Sequence, residues 1–241
     1  MSSCQTDQLL NQFKWPNGPV GQPVPAVQEW FDLPVYEPVW EHVNNWLSGC
    51  KTPAGTWRIT AGEGCGKTLL CNEIRTRNRH RRLKLIHAEF KAGETISHAL
   101  LLHAWSKKIQ PHVELPEWVT AGDKLMEWLD LAIECLSLQG YFVRLAVEAD
   151  RLDRQAADLA RQQQALFLCR EPFRGLSGSE SPILPPWSEG DIAEVLCQMV
   201  FESATPKPGP GHLWSLTRGC PRDVISLLVS GEGLIHSRLI H

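Results

Sequence analysis

A chain of 241 residues with 43% apolar and 21% charged side chains is ordinary for a globular protein, sized for one α/β domain with a small appendage or for two modest domains. A formal net charge of −3 and a pI near 6.3 exclude an overall basic field, so any nucleic-acid contact has to be local. No apolar run approaches the ~18 residues that cross a bilayer, and MSSCQTDQLL lacks the basic-then-apolar design of a signal peptide, so a cytoplasmic protein with no membrane contact is expected.

Residues 1–32 include KWPNGPVGQPVP, where proline and glycine recur too often for a helix or a central strand, and an extended N-terminal arm is expected there. From Tyr36 to Leu47 the spacing of Val39, Trp40, Val43, Trp46 and Leu47 is helical, and Gly49 stands where a helix stop belongs. TWRIT (56–60) reads as a strand, followed by a glycine-rich loop and a helix from Lys67 to about Arg77. Further strands are expected over 83–90, 141–147 and 165–169, and helices over 94–109, 124–138 and 153–163. This alternation predicts a parallel α/β sheet over 33–185. Beyond LPPW (184–187) the pattern turns helical, with Ser188 as an N-cap and Asp191 three residues on, so 186–241 reads as a helical lid. The tryptophans on helices (Trp40, Trp46, Trp105, Trp128) read as packing residues. The eight cysteines form no CxxC pair or zinc-type cluster, and reduced, mostly buried thiols are expected.

The chemistry lies in AGEGCGKT (61–68). Gly62, Gly64 and Gly66 let the backbone aim its N–H groups at phosphate oxygens, and the loop residues Glu63 and Cys65 and the following Leu69 complete the cradle. Lys67 is placed to reach the β and γ phosphates, and the Thr68 hydroxyl to ligate Mg²⁺. A loop of this pattern, between a strand and a helix, points to a nucleoside triphosphate, ATP, with Mg²⁺. A metal-associated carboxylate is then needed at the end of a neighbouring strand.

There YFVRLAVEADRL resembles the four apolar residues followed by DEAxRL of AAA+ ATPases. In that register Val147 replaces the metal-associated aspartate, the catalytic glutamate falls on Glu148, and Asp150 is a substitute metal carboxylate. TRGCPRDVISLL (217–228) matches the GxPR element of one branch of that family, and ILPPWSEGDIAEVL resembles the segment that leads into its lid. Residues from about 36 to 230 thus resemble the AAA+ ATPases grouped with origin-recognition initiators, transposition regulators and the ATPase of the general secretory pathway. The resemblance implies a three-layer αβα P-loop NTPase with a parallel sheet and a small all-helical lid, and ATP/ADP-dependent self-association into a ring or filament. It also implies a second sensor at Arg222 that reaches over the phosphates, a first sensor near Cys169 and Arg170, and an arginine finger at Arg174 donated to a neighbouring subunit.

RTRNRHRRLK (75–84) is densely basic: the pattern suits a solvated helix end, and Arg75, Arg77, Arg79, Arg81, Arg82 and Lys84 also suit the phosphates of duplex DNA without base readout. The leading expectation is a nucleotide-controlled regulator or matchmaker that recruits a protein partner of unknown identity in a DNA transaction such as transposition, with slow hydrolysis. The alternatives are a pseudo-ATPase scaffold subunit whose nucleotide is not turned over, and a small-molecule kinase, which would need a substrate-binding insert in place of the GxPR lid.

Overall fold

The computed structural model describes residues 31–50, 56–116, 119, 123–170, 181–199 and 208–230. The expected arm up to residue 30, and Arg174, lie outside the described residues.

The first helix, α1 (Glu37–Leu47), follows a 3₁₀ turn and buries Val39, Val43, Trp46 and Leu47, a stripe at helical spacing. The chain continues through β1 (Trp57–Ala61), α2 (Lys67–Arg77), β2 (Leu83–Glu89), β3 (Thr95–Ile96), α3 (His98–Ile109) and α4 (Asp123–Leu138). It goes on through β4 (Phe142–Glu148), β5 (Arg151–Leu152), α5 (Arg154–Gln162), β6 (Leu166–Cys169) and β7 (Ile183–Leu184). Then come α6 (Glu189–Gln198), α7 (Pro210–Thr217) and α8 (Pro221–Ser230). Five strands form a parallel sheet in the order β2-β4-β6-β1-β7, while β3 and β5 pair separately.

The sheet is buried on both faces, as a parallel sheet must be. Along β4, Val143, Leu145 and Val147 join the core cluster made with α3, α4 and α5. Residues of the opposite parity turn to the other face, where Arg144 Nη2 donates to the Leu47 carbonyl of α1 (3.3 Å). Helices on both faces give the αβα layering that the sequence predicts. The tryptophan reading holds as well: the indole N–H groups of Trp46, Trp105 and Trp128 donate to the carbonyls of Gln164, Ala146 and Glu114 at 2.8, 2.9 and 3.1 Å.

Two expectations change. The helix expected from residue 94 starts at His98, capped by the Ser97 hydroxyl, which accepts from Leu100 N–H. Thr95 and Ile96 pair instead with Arg151 and Leu152, a use of β-branched residues that helical periodicity does not register. The thiols are not mostly buried either: Cys65, Cys71 and Cys169 are, but Cys50, Cys135 and Cys197 are exposed.

The chain divides into two compact units. One holds residues 37–62 and 67–184, and with them the sheet and α1 to α5. The other holds 63–66 and 185–241 together with the residues up to Tyr36. Within it, α6 opens with a reciprocal capping box between Ser188 and Asp191, as the sequence spacing predicts. Phe31 packs edge-on against Trp187, whose indole N–H donates to the Tyr36 hydroxyl (2.6 Å). Gly219, with φ +74°, lies so close to Trp187 that a Cβ would run into its carbonyl group.

Candidate functional site

In the sheet unit, Gly62, Lys67 and Thr68 sit at the carboxyl end of β1 and the first turn of α2, the side of a parallel sheet where ligand sites form. Lys67 Nζ donates to the Gly62 carbonyl (3.1 Å) and lies 3.8 Å from Glu148 Oε1. Thr68 Oγ1 donates to Glu148 Oε2 (3.1 Å). Glu148 closes β4 on the face away from α3 to α5, and burial pushes its carboxyl pKa up, with Lys67 acting in the opposite direction and Glu89, its in-register partner on β2, adding to the rise. His87 Nε2 stands 3.6 Å from Glu148 Oε2, and burial, with Arg75 and Lys108 nearby, lowers its pKa to about 4, so the ring is neutral at pH 7.

Strand alternation settles which β4 residue faces Thr68. Val147 points into the opposite core and is 0% exposed, while its neighbour Glu148 carries the carboxylate bonded to Thr68. A carboxylate is therefore present beside Thr68, at position 148. The threonine hydroxyl and the carboxylate are hard-oxygen groups that fit Mg²⁺, and the lysine ammonium beside the carboxylate fits phosphate.

In the other unit, Gly64 and Gly66 take φ +74° and +90°, which an L side chain would strain. A Cβ on Gly64 would come 2.7 Å from Cys220 Sγ. Arg222 N–H donates to the Gly64 carbonyl (3.2 Å), and its guanidinium lies 3.8 Å from Glu63 Oε1 and 3.7 Å from Asp223 Oδ1. The GxPR element thus lies against the crown of the glycine-rich loop, and the loop's glycines leave room for it.

No family model and no curated protein matches the sequence. Among solved structures, Orc1 of Aeropyrum pernix in complex with DNA is similar with a TM-score of 0.54 and 15% identity, over 85% of this chain and 61% of that one. Cdc6p of Pyrobaculum aerophilum gives a TM-score of 0.43 and 15% identity, over 73% of this chain and 50% of that one. The chain shares the overall fold of that Orc1 structure. This chain spans about three fifths of the length of Orc1, so fold is what is shared.

The remaining sequence candidates separate in the structure. Asp150 accepts from Gly93 N–H (2.7 Å) and lies 3.4 Å from Arg170 Nε, which ties together the loops after β2, β4 and β6. Cys169 is buried, 3.6 Å from the Thr60 hydroxyl, and its thiol pKa is raised by burial. Leu69 is half-buried on α2. Of the basic run, Arg75 bonds Asn72 and the Leu85 carbonyl, and Arg77 bonds Glu73 and covers the Trp40 ring. Arg82 and Lys84 lie over Tyr141, and Arg79 and Arg81 are exposed. Sequence reasoning passed over His87, although a lone histidine in the apolar strand LKLIHAE is itself a signal.

Proposed function

We propose that this chain binds Mg²⁺-ATP as an AAA+ regulator and turns it over slowly. The observation that carries this reading is the convergence of Lys67, Thr68 and Glu148, at 3.1 and 3.8 Å, beside Gly62. Loop N–H groups and Lys67 would hold the phosphates, while Thr68, backed by Glu148, would hold the metal. Bound Mg²⁺ would supply charge neutralisation on the phosphate oxygens. Arg222, bonded to the loop crown, would add a cation that senses phosphate charge.

Slow turnover is favoured by the two residues after Glu148. Ala149 is buried in the core cluster and Asp150 is engaged by Gly93 and Arg170, so β4 offers one carboxylate to both metal holding and water activation. The same observation supports the second reading, a scaffold subunit that holds ATP without hydrolysing it. The Orc1 protein similar in fold was solved with DNA, and by analogy the exposed Arg79, Arg81 and Arg82 would offer this chain a phosphate-contacting edge for duplex DNA. Transposition, self-association through Arg174 and recruitment of a protein partner belong to the same reading.

ATP affinity and hydrolysis of the native chain, Lys67→Ala and Glu148→Gln, each with and without duplex DNA, test it. Lys67→Ala should lose at least about tenfold in ATP affinity, and Glu148→Gln should lose Mg²⁺ dependence more than nucleotide affinity. A native chain that does not bind Mg²⁺-ATP sinks the proposal, brisk basal turnover sinks the slow-hydrolysis part, and indifference to DNA sinks the DNA part.

A further inference from the structure

Two cysteines approach one carbonyl oxygen at the crown of the glycine-rich loop. Cys65 Sγ lies 3.9 Å from the Glu63 carbonyl oxygen, and Cys220 Sγ lies 3.7 Å from the same atom. The backbones that carry them are already joined by the Arg222 N–H to Gly64 carbonyl bond (3.2 Å), and Gly64, between Glu63 and Cys65, has no Cβ to keep Cys220 away. Cys65 is buried and Cys220 half-buried, whereas among the described residues Cys50, Cys135 and Cys197 are exposed and stand apart in the chain.

We infer that Cys65 and Cys220 form a dithiol modification site, which a hydroperoxide converts to a disulfide that fastens the GxPR element to the loop crown. One sulfur attacks the O–O bond of hydrogen peroxide, becoming a sulfenic acid as the first water leaves. The second sulfur then displaces the sulfenic oxygen, which leaves as a second water with the remaining proton. Two thiols are oxidised to one disulfide and one peroxide is reduced to two waters.

The consequence rests on the proposed nucleotide site. Phosphate binding needs the crown's N–H groups to turn toward the ligand, and a crosslink at Cys65 pins the crown between Gly64 and Gly66, the two residues whose positive φ gives the loop its shape. The bond would therefore switch off nucleotide binding, and reduction would restore it.

The full chain is treated with hydrogen peroxide at pH 8 and mapped by mass spectrometry, and Mg²⁺-ATP affinity is measured before and after dithiothreitol. Expected are a Cys65–Cys220 crosslinked peptide, an affinity loss of about tenfold or more, and full recovery on reduction. Cys220→Ser should bind ATP like the native chain and resist peroxide, whereas Cys197→Ser should stay sensitive; Cys220→Ala repeats the first arm if serine is poorly tolerated. Oxidation confined to Cys50, Cys135 or Cys197 overturns the site whatever the nucleotide result. A crosslink that leaves ATP affinity unchanged overturns the switch. A reduced chain that binds no ATP refutes the proposed function, and the peptide map still decides the thiol pair.

Discussion

Replacing Val147 with aspartate separates the register taken from motif letters from the one taken from strand geometry. By motif letters the change restores a missing metal ligand and raises ATP turnover. By geometry it puts a carboxyl into the core cluster that Val147 shares with Leu145, Ile96 and Trp105, at a position that is 0% exposed. Two costs add. Loss of a fully buried valine removes about 1.5–3 kcal/mol of apolar transfer. An aspartate that stays neutral in such a core at pH 7 must move its pKa from ~3.9 to above 7, and at 1.36 kcal/mol per unit that costs about 4 kcal/mol. The sum, roughly 6 kcal/mol, is on the scale of the whole stability of a domain. Urea denaturation at pH 7 and pH 4.5 measures it. Because the folded-state pKa is raised, the ionisation part shrinks as pH falls toward the unfolded value, so Val147→Asp should be far less destabilised at pH 4.5 than at pH 7. A variant within about 1 kcal/mol of the native chain at pH 7, or one with faster hydrolysis, would refute the strand assignment.

His87 sets an acid limit on stability. Its pKa is about 4 folded and 6.5 unfolded, so the unfolded chain takes up the proton first, and stability that is intact above pH 6.5 falls by up to about 3 kcal/mol as pH drops toward 4. Urea midpoints for His87→Gln should show a flatter profile over that window, and an unchanged slope contradicts the assignment. Gly219→Ala should cost at least about 2 kcal/mol and lower the melting temperature, because φ +74° and the Trp187 carbonyl together exclude a side chain; a neutral outcome would mean the Gly219–Trp187 approach is loose in solution.

Much of this architecture is visible in the sequence wherever one face of an element is buried at a regular period. α1, α2 and the strands β1, β2, β4 and β6 begin and end within a residue or two of where the apolar spacing puts them. The two-residue strands β3, β5 and β7 are not visible, because two residues carry no period and their pairing is decided across the chain. Parity along β4 separates positions 147 and 148. Val143, Leu145 and Val147 share a parity that places them on one buried face, whereas the motif letters track order along the chain and ignore which way each side chain points. The dithiol was not legible, since Cys65 and Cys220 lie far apart along the chain and are brought together by contacts at the Glu63 and Gly64 carbonyls.

The electrostatics at the ends of β2 and β4 bear on the proposed separation of ATP binding from turnover. Glu89 and Glu148 are in-register partners on parallel strands, so their side chains share a face, and the Glu89 charge adds to the burial that raises the Glu148 pKa. Lys67 at 3.8 Å opposes both effects. Phosphates would draw Lys67 toward themselves and weaken that support, while a divalent cation on Thr68 would replace it with a stronger one. Mg²⁺ should therefore favour the ionised form of Glu148 more than nucleotide alone does. Once that carboxylate is committed to the metal through Thr68, β4 has no second one to orient water, since its next residue, Ala149, lies in the core. Tight Mg²⁺-dependent binding with little hydrolysis is the expected result of giving both tasks to Glu148.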